Sequence, residues 1–199
     1  MCAINIRAAT ILLTLLLGAE MAIADVIWTV DSGKLTKAQG VNVSGTLYDV
    51  EFKEGTCASV FGACDTAHFD FTTSGLALAA SQALVDQVLI NIAGYPFDDS
   101  PNLTYGISST VLAKLLTPYT TWNLGQGPTV AIAGNENASG SDGSSVGNDF
   151  TAGFDSTDSG TYVWADWAVQ QNSVPEPGTL SLVAAAMFTA AAVSRSRKK

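Results

Sequence analysis

The chain has 199 residues, of which 47% are hydrophobic, and its 18 acidic and 9 basic side chains give a formal net charge of −9. Between the two terminal segments described below, 16 acidic residues remain against 4 basic ones, so the central part carries a charge near −12. A nucleic-acid-binding surface needs the opposite sign, and the composition therefore argues against nucleic acid as a partner.

The first 24 residues have the pattern of a secretory signal peptide. Arg7 precedes an apolar run from Ala8 to Ala19, and Ala22 and Ala24 supply small side chains at the two positions that a signal peptidase requires. We therefore predict export, cleavage by signal peptidase after Ala24, and a mature chain that begins at Asp25. A buried N-terminal helix, the alternative, fits so short a run less well.

Residues 25–173 are long enough for one domain with a hydrophobic core, and their pattern predicts an α+β fold, mainly antiparallel β with one principal helix. Asp25 to Val30 is predicted to be the first strand and Ser32 to Gly40 a polar connection. Val41 to Phe52 alternates on both sides of Ser44-Gly45, as in a β-hairpin with a tight turn.

Two cysteines follow the hairpin. Cys2 leaves with the signal peptide, so Cys57 and Cys64 are the pair that remains in the mature chain. In an oxidising compartment this favours a disulfide that closes a small loop, whereas a redox pair more often reads C-x-x-C. A metal site would need more ligands than are visible nearby.

Short-range patterns then predict a strand and the principal helix. Ala67 to Phe71 alternates, with Phe69 and Phe71 expected toward the core. Leu76 to Ile92 repeats apolar residues at four-residue spacing, which predicts a long amphipathic helix. Gly94 and Pro96 are expected to end it.

The second half of the domain is less regular. Ser109 to Leu116 is compatible with a helix or a strand that ends at Thr117-Pro118, and strands are predicted at Thr120 to Trp122 and Thr129 to Ala133. Gly134 to Gly160 is rich in Gly, Ser, Asn, Asp and Thr, which predicts a loop. Thr161 to Val169 is apolar on both faces and is expected to be a central strand.

The last 26 residues combine three different pieces. Residues 174–179 contain two prolines that keep the backbone extended and exposed. Residues 180–194 are predicted to form a transmembrane helix at the short limit for crossing a bilayer, and 195–199 a basic end that stays cytoplasmic. The residues that define the motif and the basic end are Val174, Pro175, Glu176 and Pro177, and Arg195, Arg197, Lys198 and Lys199.

This order resembles the C-terminal sorting signal of PEP-CTERM proteins, which are substrates of the membrane enzymes called exosortases in Gram-negative bacteria. The hairpin around Gly45, the segment Cys57 to Phe61 and the helical segment from Leu76 also resemble uncharacterised PEP-CTERM proteins. The resemblance implies delivery to the cell surface or the extracellular matrix, together with an association with exopolysaccharide and biofilm. It implies no activity. Rival interpretations are a permanent tail anchor, a Gram-positive sortase signal, which lacks its L-P-x-T-G here, and a GPI-type signal.

Candidate catalytic and metal-binding residues are few. His68 is the single histidine, and no G-x-S-x-G nucleophile turn accompanies it. Zinc would need His68 with both cysteines and would forfeit the disulfide, so no metal is assigned. Calcium is the one ion to consider, but the first candidate set has Val146 where a calcium loop has its bidentate Glu, and acidic, Gly-rich loops are usually only solvated. The two sets are Asn135, Asn137, Ser139 and Asp142, and Asp149, Asp155 and Asp158.

The sequence thus predicts a non-enzymatic exported protein that signal peptidase and an exosortase process, and that passes through the inner membrane on its way to the surface. One alternative is a carbohydrate-binding module with exposed Trp122, Trp164 or Trp167 as a stacking platform, although core positions are the better explanation of these rings. A less favoured one is a hydrolase with Asp98 and Asp99 as its acid pair.

Overall fold

The structure is a computed structural model that describes residues 25–122, 126–136 and 142–170. Within these ranges the chain forms nine strands and two α-helices. In chain order they are β1 (Ile27–Asp31), β2 (Lys34–Val43), β3 (Thr46–Lys53), α1 (Cys57–Phe61), α2 (Ser74–Ala83), β4 (Asn91–Ile92), β5 (Tyr95–Pro96), β6 (Leu112–Trp122), β7 (Gly127–Glu136), β8 (Gly143–Asp149) and β9 (Tyr162–Val169).

Seven of the strands form one sheet in the order β1-β2-β3-β9-β6-β7-β8, and β4 pairs separately with β5. All neighbours in the large sheet are antiparallel except β6 and β9, which pair in parallel through three residues, Lys114 to Leu116. A mainly antiparallel sheet with one main helix confirms the α+β class. The predicted signal peptide and membrane helix lie outside the described residues.

The last strand lies at the centre of this sheet, as predicted. β9 pairs with β3 on one side and with β6 on the other. Val163 and Ala165 are buried toward one hydrophobic cluster, whereas Trp164, between them, is buried in a second cluster on the opposite face. Apolar side chains on both faces are what a strand covered on both sides requires.

Two tight turns shape the first three strands. Ser44 and Gly45 have φ of 52° and 92°, as a two-residue hairpin turn requires, and they confirm the hairpin between β2 and β3. Ser32 and Gly33 make a similar turn with φ of 50° and 79°. The predicted connection from Ser32 to Gly40 is therefore wrong beyond Gly33, because its polar residues lie in β2.

Helix α2 covers one face of the sheet. Thr73 caps its first turn by accepting a hydrogen bond from the Leu76 N–H, and Ala77 and Ala80 are fully buried beneath it. The helix is shorter than predicted, because a π-turn occupies Leu84–Val88 and is closed by a 2.9 Å bond from the Leu89 N–H to the Leu84 carbonyl. The chain then turns back through β4 and β5. The helix has therefore already ended before Gly94 and Pro96, the residues expected to end it.

Three further predictions need correction. Residues Thr66–His68 form a 3-10 turn, so Ala67 to Phe71 is not a strand, although Phe69 and Phe71 are buried as expected. The segment that begins near Ser109 does not end at Thr117-Pro118, because β6 continues through Pro118. A proline is tolerated there, since pairing with β9 has already ended at Leu116 and the register with β7 shifts after Pro118. The Gly-rich segment expected to be a loop contributes β8, an edge strand paired with β7.

The face opposite α2 is covered by α1 and by aromatic side chains. Phe61 packs edge-on against Trp164 and Phe69, with ring centroids 5.8 and 5.5 Å apart. Phe150 and Phe154 contact the same indole from the segment after β8. The segment between β8 and β9 is thus anchored by its two phenylalanines.

Candidate functional site

A polar groove lies between β3 and α1. Its volume is about 520 Å³, and its lining includes three carboxylate side chains and one cationic one. The lining residues are Asp31, Thr36, Glu51, Phe52, Lys53, Glu54, Ser59, Val60 and Tyr105. The ring of Phe52 is apolar, but it is buried in the core and is not offered to a ligand. The surface that a ligand would contact is therefore mostly polar.

Lys53 is the basic residue that lines this groove. Its Nζ lies 2.7 Å from Asp166 Oδ2 on the neighbouring strand and 3.1 Å from Glu51 Oε2 on its own strand. The hydrogen bond to Asp166 and, to a smaller extent, that to Glu51 raise the pKa of Lys53, although partial burial opposes them. The ammonium therefore stays charged and holds two carboxylates on adjacent strands.

Asp70 adds a third carboxylate near Asp166. Phe69 packs in the cluster with Phe61, and Phe71 packs in the other cluster, 5.5 Å from Trp167, so the chain crosses between the two clusters at Asp70. Desolvation by the surrounding protein, followed by the charge of Asp166, raises the pKa of Asp70 to about 6. Solvent still reaches the residue, and this contact with water limits how strongly its charge is disfavoured.

Tyr105 is the exposed aromatic residue of the groove, with 40% of its surface accessible. Its backbone N–H donates to the Leu35 carbonyl at 2.9 Å, which fixes this loop on β2. Gly106 follows with φ of 75°, and a Cβ there would lie 2.7 Å from Glu54 Cγ. Glycine thus lets the loop approach the groove closely enough to place the Tyr105 ring at its edge.

The structure joins Cys57 to Cys64, as the cysteine count predicts, with a Cα separation of 5.3 Å. Cys57 begins α1, which Thr56 caps, and Gly62 ends the helix with φ of 82°. The short helix thus lies inside the loop that the disulfide closes. The surroundings of the disulfide are those of a structural bond, because Cys57 is buried in the aromatic cluster with Trp164.

The tryptophans do not form the stacking platform that the carbohydrate alternative requires. Trp164 is fully buried and Trp167 is 4% exposed. Their indole nitrogens donate to the Gly55 carbonyl and to Thr117 Oγ1. Trp122 is half-buried and donates to the Phe150 carbonyl. The burial of Trp164 and Trp167 therefore confirms that these two rings are core aromatics, and it removes them as stacking residues.

The structure also separates the acidic candidates. His68 Nδ1 lies 2.8 Å from Asp65 Oδ1, so it pairs with Asp65 and not with Asp70. Asp99 Oδ2 accepts from Asn91 Nδ2 at 2.9 Å, whereas the Asp98 carboxyl is in hydrogen-bonding contact with Asp142. Asp98 and Asp99 therefore have different partners.

The second calcium set is divided as well. Asp149 accepts a 2.6 Å hydrogen bond from Thr129, and Asp155 caps a 3-10 turn at Thr157. Within the described ranges no group of three or more His, Cys, Asp or Glu side chains could hold a metal ion. Of the first set, Asn135 and Asp142 are described, whereas Asn137 and Ser139 lie outside the described residues.

The sorting motif, the apolar run and the basic end fall after residue 170, and Ala22 and Ala24 precede residue 25, so all of them lie outside the described residues. Asp25 is the first described residue. In the described part of the chain, no helix has the length and apolar character needed to cross a membrane.

Comparison of the chain with protein-family models, with curated proteins and with solved structures gave no match in any of the three.

Sequence reasoning missed Lys53 and Tyr105 as groove residues, and it missed Asp166 as the partner of Lys53. One signal was available for Lys53, because it is one of 4 basic residues in the central part and stands between Glu51 and Glu54. The partnership with Asp166 spans 113 positions and depends on β9 pairing with β3, which no local pattern reveals. Tyr105 has no periodic neighbours that would mark it as exposed.

Proposed function

We propose that this chain is an exported, non-enzymatic protein of the surface or extracellular matrix of a Gram-negative bacterium, sorted by an exosortase. The observation that carries the proposal is the order of the tail: Pro175-Glu176-Pro177, an apolar run from Leu180 to Val193, and a cationic end. A helix of this length holds the chain in the inner membrane, and the cations keep its end cytoplasmic. The exosortase then releases the domain toward the surface.

Two features of the domain support delivery outside the cytoplasm. The disulfide between Cys57 and Cys64 suits an oxidising compartment. The excess of acidic over basic residues in the central part gives a surface that stays hydrated and resists nonspecific association. Both properties are useful to a protein of a polysaccharide-rich matrix.

The test is to change Pro175, Glu176 and Pro177 to Ala in a host that has the exosortase. The apolar run and basic end are untouched, so membrane insertion is preserved and recognition alone is lost. We expect full-length protein to accumulate in the inner membrane, whereas the wild type loses the peptide that contains Arg195 to Lys199. A permanent anchor predicts equal amounts of intact membrane-bound protein in both strains, and that result would refute the proposal.

The groove favours a second candidate function, the binding of carbohydrate. Tyr105 offers an exposed ring on which a sugar can stack, and Lys53, Glu51 and Glu54 offer polar atoms for its hydroxyls. A matrix exopolysaccharide is the ligand that the proposed destination supplies.

Affinity electrophoresis in gels that contain the host exopolysaccharide tests this second function. Tyr105→Ala should remove the retardation that the wild type shows. Val111→Ala, which shortens an apolar side chain with 66% exposure outside the groove, is the matched control and should migrate like the wild type. Retardation of all three proteins to the same extent would exclude the groove as the binding site.

A further inference from the structure

The buried side chain of Asn135 has an acceptor without a donor. Asn135 is fully buried in β7, and its Nδ2 donates to the Phe97 carbonyl at 2.8 Å. This bond fixes the orientation of the amide, because the reversed amide would bring two acceptor oxygens together. Among the described residues, Asn135 Oδ1 is one of three buried side-chain oxygens with no hydrogen-bond partner.

Asn135 differs from the other two, Ser81 and Thr104. Their hydroxyl groups can also act as donors, whereas an amide oxygen only accepts. A buried carbonyl oxygen without a donor destabilises an otherwise satisfied interior, because it has lost its hydrogen bonds to water. A proton donor or a cation beside Oδ1 would remove this cost.

Asp142 is the neighbour of Asn135 across the sheet. Gly134 pairs with Gly143, the first residue of β8, so continuing this register by one residue sets Asp142 opposite Asn135. Ser144, two positions beyond Asp142, directs its Oγ toward α2 and donates to Gln82 Oε1 at 2.8 Å. Asp142 directly precedes β8, and continuing the strand alternation by one residue places it on this same face, where Asn135 is buried.

Asp98 reaches the same place from the other side. It directly follows Phe97, whose carbonyl holds the Asn135 amide, and its carboxyl contacts that of Asp142. Burial, followed by Asp142 and Asp99, raises the pKa of Asp98. The loop itself is fixed by Asn91 Oδ1, which accepts from the backbone N–H groups of Asp98 and Asp99 at 3.2 and 3.4 Å.

We propose that Asp98, Asp142 and the Asn135 side-chain oxygen form a calcium-binding site at the junction of β7, β8 and the loop after β5. Two carboxylates in contact repel each other, and a cation between them removes the repulsion while giving Oδ1 a partner. All three ligands are oxygens, which Ca²⁺ and Mg²⁺ accept, and the mixed set of carboxylate and amide suits the irregular geometry of Ca²⁺. Water completes the shell of 6–8 oxygens that Ca²⁺ takes.

Zinc fits this site poorly, since it prefers nitrogen and sulfur ligands. The sequence pattern around Asn135 and Asp142 resembles the start of a calcium loop, but the structure completes the set with Asp98, 44 positions before Asp142, and leaves Asn137 and Ser139 out of the proposal.

Calorimetric titration of the purified full chain with CaCl₂ and, separately, MgCl₂ tests the site, with thermal unfolding followed in parallel. We expect saturable Ca²⁺ binding, weaker Mg²⁺ binding, and a Ca²⁺-dependent rise in Tm that EGTA reverses. Asp142→Asn and Asp98→Asn should each weaken Ca²⁺ binding by at least about tenfold. Both changes keep the side-chain shape and remove the carboxylate repulsion, so both variants should fold, which near-ultraviolet circular dichroism would verify.

Asp158→Asn is the matched control, because it makes the same charge change on an exposed residue of another turn and should bind Ca²⁺ like the wild type. Absence of saturable Ca²⁺ binding by the wild type would overturn the site. Equal binding of Mg²⁺, or equal loss in the Asp158→Asn variant, would also overturn it in favour of general screening of an acidic surface. These measurements use purified protein, so they are independent of sorting.

Discussion

The indole nitrogen of Trp164 donates a 2.8 Å hydrogen bond to the backbone carbonyl of Gly55. The same carbonyl accepts from the Ser156 N–H at 3.1 Å, and the Gly55 N–H donates to Ser156 Oγ at 3.0 Å. Gly55 thereby connects three distant parts of the chain: the end of β3, the centre of β9 and the turn before β9. Its buried partners make these bonds costly to lose.

Replacing Gly55 with alanine should destabilise the domain by about 1–3 kcal/mol. Gly55 has φ of 132°, and a Cβ there would lie 2.5 Å from Ser59 Oγ, so both backbone strain and a clash oppose the change. Gly33→Ala is the matched control, since Gly33 has φ of 79° but no atom near the added Cβ. Urea unfolding should show a smaller loss for the control, of about 1 kcal/mol, and equal losses would contradict the role given to the Ser59 contact.

Removing the disulfide should lower the free energy of unfolding by roughly 2 to 3 kcal/mol, because the bond restricts a short loop in the unfolded chain. The double variant Cys57→Ser with Cys64→Ser tests this by chemical unfolding.

Under non-reducing conditions the wild-type peptide that contains Cys57 and Cys64 should be two hydrogens lighter than its reduced form and should resist alkylation. Complete alkylation of protein kept under oxidising conditions would show that the cysteines are free.

Asp70 should make the stability of the domain depend on pH between about 4 and 6. Its folded pKa of about 6 lies above the ordinary value of 3.8, so the folded protein binds more protons than the unfolded chain in this window. The free energy of unfolding therefore falls as pH rises through the window. Asp70→Asn should remove this dependence and raise stability at pH 7, by about 1 kcal/mol or less because water screens the charge.

Denaturant unfolding at several pH values measures the Asp70 effect, and carbon-detected NMR titration reads the carboxyl directly. Asp166→Asn is the informative second variant. It removes the neighbouring negative charge and should lower the pKa of Asp70, though not to its ordinary value, since desolvation is the larger cause. An unchanged Asp70 titration in Asp166→Asn would refute the electrostatic contact between the two residues.

The mature chain should begin at Asp25 or within a residue or two of it, because Ala22 and Ala24 satisfy the requirement of signal peptidase. Mass spectrometry of protein from the host envelope measures this terminus. Recovery of chains that retain Met1 would rule out cleavage of the signal.

Local chemistry made some elements of the fold predictable. The turn at Ser44-Gly45 was foreseeable because alternation on both sides aligned with residues that tolerate positive φ. β9 was foreseeable because both of its faces are apolar. The presence of α2 was foreseeable from the apolar spacing after Leu76, although the helix begins two residues earlier, at Ser74, where Thr73 caps it.

Elements that depend on partners distant in sequence were not predictable. β8 has the composition of a loop and is a strand because β7 pairs with it, and as an edge strand it needs no apolar face. The apolar spacing continues unbroken through Leu84–Val88, yet a π-turn replaces the α-helix there, and its Val88 carbonyl accepts a hydrogen bond from the distant Trp28 indole. The groove and the Asn135 environment likewise require β3–β9 and β7–β8 pairing, so sequence reasoning identified their members only in part.

The sheet consists of two halves, β1-β2-β3 and β6-β7-β8, each made of strands consecutive along the chain, and β9 is the strand that joins them. A chain that crosses the membrane with its N-terminus first delivers β9 last. Each half can form its hairpins early. The strands that pair with β9, namely β3 and β6, remain sheet edges until nearly the whole domain has emerged. On the proposed export route, closure of the sheet would thus come as the residues after 170 reach the membrane, so the domain would complete its fold at the time when the proposed sorting motif is presented.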